Sequence, residues 1–485
     1  MRRNFAFLLV LAVTSALPAM AQPFEVVYGP GTTSDQGARR VEPVNLVNCP
    51  NAPVGGFISA GTTNLSAANS DVYVVRVKTN GNPLWERTYD LGGAGNRDEG
   101  RAIVELADGT GFVVLANTTA GGVYNTVLMK IDCLGAVVWN RVYRWSPTAA
   151  NVRGIDLIQA TTGDVAFGTA AGDLVVAGYA TNTTPNDDAY LMRTKVNGAL
   201  IWHRTYSTGV TEQFAALTEA AAPTGTPTKD LVAVGTLINT ASNQQALAAR
   251  VSGNNGAILG GNHCYGTYGD TDIQSLFSVI ELRSTGFAGD LVLAGLSNGA
   301  ANSDDILLLR TKPSPCTPLA ESRIGGLRRE VALDLREVLA PIGVTGVTVG
   351  DLAVTGDVAD LPFTVSDVPL LFVAPTALNP LTGKLYGNHL PRVEVGTSLE
   401  RIPGNGFIIS GFSTSDKAAI GDPRDLYLVA SDFTASTGCD TTFFPPYVSL
   451  TWSPTVLTPT LASPFVSGTL NVPSTGISTA FPACP

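Results

Sequence analysis

Residues 174–206 read LVVAGYATNTTPNDDAYLMRTKVNGALIWHRTY. An apolar run, Leu174–Gly178, is followed by a polar loop. A second run, Asp188–Thr194, leads through an Asn197-Gly198 turn to a third run carrying Trp202 and Tyr206. Asn-Gly between two apolar runs is a strong hairpin signal. The runs are too short for helices and lack a 3.6-residue stripe, so they read as strands, the first buried on both faces.

The first run occurs seven times: FISAG at 57–61, FVVLA at 112–116, LVVAG at 174–178, LVAVG at 231–235, LVLAG at 291–295, LAVTG at 352–356 and FIISG at 407–411. Successive copies start 55, 62, 57, 60, 61 and 55 residues apart. The second run follows each copy, as in DVYVVRV at 71–77 and DLYLVAS at 425–431. The third run is Leu84–Tyr89, Val138–Tyr143 and Ile201–Tyr206, and it decays later to Cys264-Tyr265, Ile324-Gly325 and Tyr386-Gly387. A weaker strand comes next, for example Arg101–Leu106 or Arg153–Gln159. A fixed period of this length marks a unit that cannot bury its faces alone and must stack on copies of itself.

Four strands in each repeat make the blade of a β-propeller. The expected fold is all-β: a seven-bladed β-propeller of four-stranded blades, with the Trp residues packed between neighbouring blades. Residues 24–44 read like the last two strands of a blade, and 406–431 like the first two. Pairing of these N-terminal and C-terminal strands would complete the seventh blade and hide the sheet edges of an open array. The propeller is thus assigned to 22–439. Residues 440–485, rich in Pro, Thr and Ser, form a C-terminal extension. The extension is expected to add an outer strand at Tyr447–Trp452 or to lie across the last blade.

The recurring apolar run, the Asp-x-Tyr-Leu element and the Gly-x-x-x-Trp-x-Arg-Thr-Tyr element resemble those of exported bacterial propeller-repeat proteins, and more distantly quinoprotein-like and Kelch-like repeats. The Gly81–Trp85, Gly135–Trp139 and Gly198–Trp202 spacing is similar to the tryptophan-docking pattern of quinoprotein propellers. The resemblance implies the fold; most members of the group have no assigned activity.

Composition narrows the function. The chain has 485 residues, 40 Asp+Glu against 30 Lys+Arg, and a net charge of −10. That balance excludes a basic nucleic-acid surface and electrostatic docking on anionic lipid. Residues 1–21 read as a secretory signal: Arg2-Arg3, an apolar stretch Phe5–Val13, and a small-residue cleavage site at Ala21. The expected location is secreted, periplasmic or cell-surface, without a transmembrane segment. The expected state is a monomer. Six Cys suit disulfides in an exported chain, and Cys439–Cys484 is the pairing expected to tie down the tail.

Asp173, Asp230, Asp290 and Asp351 stand immediately before the first run, and are expected near one mouth of the central channel as a Ca²⁺ site. Asp71, Asp188, Asp305, Asp367 and Asp425 open the second run and are expected to cap their own loops. Arg76, Lys130, Arg193, Arg250 and Arg310 are expected to end that run in solvent, with their stems packed on the blade. Gly295-Leu296-Ser297-Asn298-Gly299 fits a nucleophile-elbow spacing but has no helix after it. His203, His263 and His389 are not spaced for a shared metal. No catalytic or cofactor-binding residue is assigned. The reading is an exported, non-catalytic binding or scaffold protein whose face loops hold a protein or glycan partner. The alternatives are a propeller enzyme (a quinoprotein-like dehydrogenase or a polysaccharide lyase or hydrolase) and a cell-surface adhesive protein.

Overall fold

The structure, a computed structural model, describes residues 23–482 apart from short loop segments such as 182–185, 222–227, 299–303 and 415–423; for 441–482 it describes backbone pairing only. The signal at 1–21 and the pair Cys439–Cys484 lie outside the described residues.

Seven antiparallel sheets form the molecule, with no α-helix among the described residues and a single 3₁₀ turn at Val165–Phe167. Blade 3 shows the plan: Val152–Gln159, Leu174–Thr181, Asp187–Thr194 and Leu200–Ser207 pair in sequence order. The LVVAG-type run is therefore the second strand of its sheet. The innermost strand is the weak one that precedes it, so the sequence reading starts each blade one strand late. The first strands, such as Asp98–Glu105, Val152–Gln159 and Thr211–Ala220, lie against one another around the axis. The second and third strands are buried on both faces, with Leu174, Val175, Val176 and Ala177 all at 0% exposure. That explains their unbroken apolarity.

A bulge in the first strand explains the recurring glycine. In blades 3 to 7 the register shifts by one residue, between Gly154 and Asp156, Phe214 and Ala216, Leu276 and Ser278, Ala332 and Asp334, and Gly396 and Ser398. The bulge pushes a carbonyl onto the facing second strand. A Cβ at Gly235, Gly295 or Gly356 would sit 1.8–1.9 Å from the oxygen of Gln213, Ser275 or Val331. Only glycine fits there, and the extra bulged residue is aimed at the axis.

The ring closes by the terminal strand pairing the sequence predicts, but with one N-terminal strand in blade 7 rather than two. Phe24–Tyr28 pairs antiparallel with Arg424–Ala430 and becomes the fourth strand of blade 7, beside Glu394–Ile402 and Gly406–Thr414. The chain then crosses to blade 1, where Ser34–Gln36 and Val41–Pro43 together serve as the first strand against Phe57–Ser66.

Adjacent blades are clasped by the Trp-x-Arg-x-Tyr element. In blade 1, Trp85 Nε1 donates to the Cys133 carbonyl (3.0 Å), Arg87 Nε to Leu134 (2.9 Å) and Tyr89 Oη to Gly135 (2.8 Å), three successive carbonyls of the blade 2 hairpin. Tyr143 and Tyr206 repeat the last bond to Gly198 and Gly256, each at 2.7 Å. Tyr386 reaches Ala435, and Tyr28 carries the bond across the closure to Gly81. The Trp residues thus sit between blades. The Cys49–Cys133 disulfide adds a covalent link between blades 1 and 2, and Cys264 is also disulfide-bonded.

The C-terminal extension does more than add one outer strand. Its short strands pair in turn with the fourth strand of blade 6 (Thr441–Thr442), 5 (Tyr447–Ser449), 4 (Thr455–Val456), 3 (Thr460–Ala462), 2 (Phe465–Gly468), 1 (Ser474–Ile477) and 7 (Ala480–Pro482). A chain of this length reaches about 140 Å when extended at about 3.3–3.6 Å per residue. That lets it run as a belt past every blade. It covers the outer edges that a propeller otherwise exposes.

Candidate functional site

The two charged sets expected from the sequence turn out to be partners. Arg193 is fully buried, and its Nε donates to Asp173 Oδ2 at 2.9 Å. Its other nitrogens donate to Thr162 and Ala170, and to the Gly253 carbonyl of the next blade. Arg250 pairs with Asp230 in the same way at 2.9 Å, and Arg310 approaches Asp290 at 3.9 Å. These arginines do not end in solvent. They are struts across the seams, and the carboxylate supports their burial. Arg76, where Gly56 takes the Asp place, is buried on the carbonyls of Gly55, Phe57 and Val77, while Lys130 reaches the exposed Thr110 hydroxyl. Phe372 stands at the arginine position of blade 6, and Asp351 there accepts from the N–H and hydroxyl of Thr348 at 2.7 and 3.1 Å. Each of the four carboxylates is thus held within its own blade, and the structure does not bring Asp173, Asp230, Asp290 and Asp351 together.

Several other candidates are also placed. Ser297 is buried within a strand, Leu291–Asn298, and accepts from Arg323 at 3.1 Å, so no elbow forms. His203 is buried in Leu200–Ser207; His263 and His389 lie outside the described residues. Asp305, expected to cap its loop, leaves Oδ1 buried without a partner. At the blade 3/4, 5/6 and 6/7 seams an Asp from this set faces a glutamate that opens the next first strand. Burial, reinforced by Asp188, Asp305 and Asp367, pushes Glu212, Glu330 and Glu394 up to about 7.

The repeat breaks at the axis. A cavity of about 360 Å³ opens at the ends of the first strands, walled by blades 1 and 3 to 7. Its polar wall is a charged cluster in which only Asp156 and Asp334 share a place in the repeat. Arg40 Nε donates to Glu42 Oε1 at 2.9 Å, and its Nη1 lies 3.5 Å from Asp156 Oδ1. Across the axis, Arg336 donates to Asp334 Oδ1 (2.7 Å) and to Glu400 Oε1 (2.6 Å). The bulge that displaces Asp156 and Asp334 lets each also accept a backbone N–H from another first strand: Leu217 onto Asp156 and Leu399 onto Asp334, both at 2.9 Å. Ser278 completes the link at 2.7 Å from Asp334. The lining also includes apolar side chains, among them Phe277, a bulged, half-buried ring beside Ser278.

Electrostatics separates the carboxyls. Burial lifts Glu42 up to about 7 in spite of Arg40. Burial also opposes ionisation of Glu400, but Arg336 outweighs it and holds that carboxyl below its usual range. Asp156 is raised by burial. Farther out, Glu105, Gln159, Glu219, Glu281 and Glu337 form a ring in which each accepts a backbone N–H from the preceding blade, at 2.7–2.8 Å. Sequence reasoning missed both features because they lie on the weak innermost strand. The signal available was weak: an acidic or amide residue lies 7 to 15 residues before the apolar runs of blades 2 to 6, at no fixed spacing.

Fold and site together define the class: a closed seven-bladed β-propeller with a symmetry-breaking polar pocket on its axis. No protein-family model matches the chain, and comparison with curated proteins gives no match either.

Proposed function

We propose that this chain is an exported, non-catalytic binding protein whose partner is a hydroxyl-rich glycan held over the axial pocket. One observation carries the reading: a cluster of two arginines and four carboxyl groups, gathered from four blades, lines that pocket. The guanidinium groups of Arg40 and Arg336 are already paired, so an anionic ligand at the cluster would have to displace a carboxylate. A neutral ligand with neighbouring hydroxyls donates to carboxylates and accepts from guanidinium groups without breaking any pair. Phe277 offers an apolar face on which a sugar ring can lie. The cavity is within the ~300–1,000 Å³ common for ligand sites. Calorimetry of the mature chain against a panel of neutral oligosaccharides tests this. Saturable binding that Phe277→Ala and Arg336→Ala each weaken at least tenfold is expected; binding indifferent to both substitutions, or none across the panel, refutes it.

The opposed shifts of Glu42 and Glu400 support a second reading, polysaccharide hydrolysis or lysis, since a protonated and an ionised carboxyl in one site suit acid–base chemistry. It requires release of reducing ends from the bound glycan and its loss in Glu42→Gln.

A further inference from the structure

The face opposite the axial pocket carries a second carboxylate group. Asp71 opens the third strand of blade 1, Asp90 follows its fourth strand, and Asp98 opens the first strand of blade 2. One oxygen from each lies within 4.8 Å of the other two. Asp98 accepts the Leu91 N–H and the Thr118 hydroxyl, both at 2.5 Å. Asp90 Oδ1 accepts the N–H groups of Gly92 and Gly93 at 3.2 and 2.6 Å. These bonds fix two of the carboxylates and leave lone pairs on each. Asp71 differs. It is 8% exposed, it caps no loop, and among the described residues its carboxylate has neither a hydrogen-bond donor nor a Lys or Arg partner.

Three carboxylates this close repel one another, most strongly where water is scarce. At the axis the molecule answers the same problem with arginine, as at Asp156 and Asp334, whereas at the Asp188, Asp305 and Asp367 seams a carboxyl pair is left to hold a proton. Here no arginine is supplied. Oxygen ligands 2.3–2.6 Å from one central ion lie up to about 5 Å from each other, which is the spacing seen. All three donors are hard oxygens, which select Ca²⁺ over the softer transition metals.

We propose that Asp71, Asp90 and Asp98 bind one Ca²⁺ ion that clips blade 1 to blade 2. The clip lies at the strand ends opposite Cys49–Cys133, so the two links fasten one seam from both faces. The position has a reason. Among the described residues, blade 1 alone has a first strand in two short pieces, and its inner strand pairing is correspondingly sparse.

The test uses the mature full chain, stripped with chelator and titrated with CaCl₂ by calorimetry and by thermal melting. One ion per chain and a calcium-dependent rise in Tm are expected. Asp71→Asn is expected to weaken binding at least tenfold while raising the Tm of the ion-free protein, because it removes an uncompensated charge. Asp173→Asn, at a paired carboxylate in another blade, is expected to keep the calcium response. Absence of heat and of any Tm shift in the wild-type chain overturns the site. So does an Asp71→Asn chain that keeps the calcium response or melts lower without the ion, since either result makes Asp71 merely structural. A response to MgCl₂ with none to CaCl₂ overturns the choice of ion.

Discussion

Rim and axis of this ring follow opposite rules. Between blades, one residue does one job again and again: Tyr28, Tyr89, Tyr143, Tyr206 and Tyr386 each donate a hydroxyl to a carbonyl of the next blade. At the axis, Arg40, Asp156, Asp334, Arg336 and Glu400 converge from blades 1, 3, 6 and 7, and only the two aspartates share a register position. Repetition builds a rigid closed frame, and departure from repetition marks where chemistry can be placed on it. The comparison can be broken from either side.

The largest effect is expected at the closure. Deleting residues 22–29 of the mature chain removes the fourth strand of blade 7, with buried Phe24, Val27 and Tyr28. At about 1.5–3 kcal/mol per large buried side chain, the loss is on the order of 5 kcal/mol before the exposed edge is counted. The expected outcome is loss of a cooperative thermal transition together with self-association in size-exclusion chromatography. A truncated chain that melts like the full one would remove the closure from the account.

Next come the buried struts. Asp173→Ala or Asp230→Ala leaves a fully buried guanidinium without its carboxylate, and should cost about 3–5 kcal/mol in chemical denaturation. The Arg310–Asp290 pair is longer and partly exposed, so Asp290→Ala should cost clearly less.

The clasp itself offers a smaller, sharper contrast. Tyr206→Phe deletes a buried bond to Gly256 and leaves its carbonyl without that donor, a loss of about 1–2 kcal/mol. Tyr268 holds the equivalent place in blade 4, yet its buried hydroxyl has no partner. Tyr268→Phe should therefore be neutral or stabilising. Equal losses at both positions would show that the hydroxyl bond is not what holds the seams.

The mildest probe is pH. Glu212, Glu330 and Glu394 titrate at about 7 in the folded chain, above the usual 4.5. Between these values the folded state binds more protons than the unfolded one, so stability rises as pH falls from 8 towards 5. Carboxyls held low, such as Glu99 and Asp440, withdraw their contribution only in more acidic solution and do not oppose this window. The Tm should be higher at pH 5.5 than at pH 8; a flat or reversed profile contradicts the seam assignment.

The same contrast explains what the sequence made legible. The seven apolar runs and the Gly-x-x-x-Trp-x-Arg-Thr-Tyr element are visible because each copy meets one constraint: burial on both faces, a carbonyl pressed against Gly178 or Gly235, three carbonyls to clasp. The innermost strands meet no common constraint at their channel-facing positions. Val104, Ile158, Thr218, Ile280, Arg336 and Glu400 occupy matching places and share no chemistry. Pattern reading therefore passed over the strand that carries the pocket. Asp173 and Arg193 were each visible, but their pairing was not, since 20 residues and a hairpin separate them. The belt at 441–482 was hidden for another reason: strands of two to four residues have no periodicity to read.

Hydrogen–deuterium exchange of the mature chain, with and without a bound neutral oligosaccharide, tests most directly whether function sits where the repeat fails. Protection should gather on the inner strands and the loops that follow them, at 215–221, 277–284 and 334–339. Protection confined to the outer strands or to 441–482 would contradict the account.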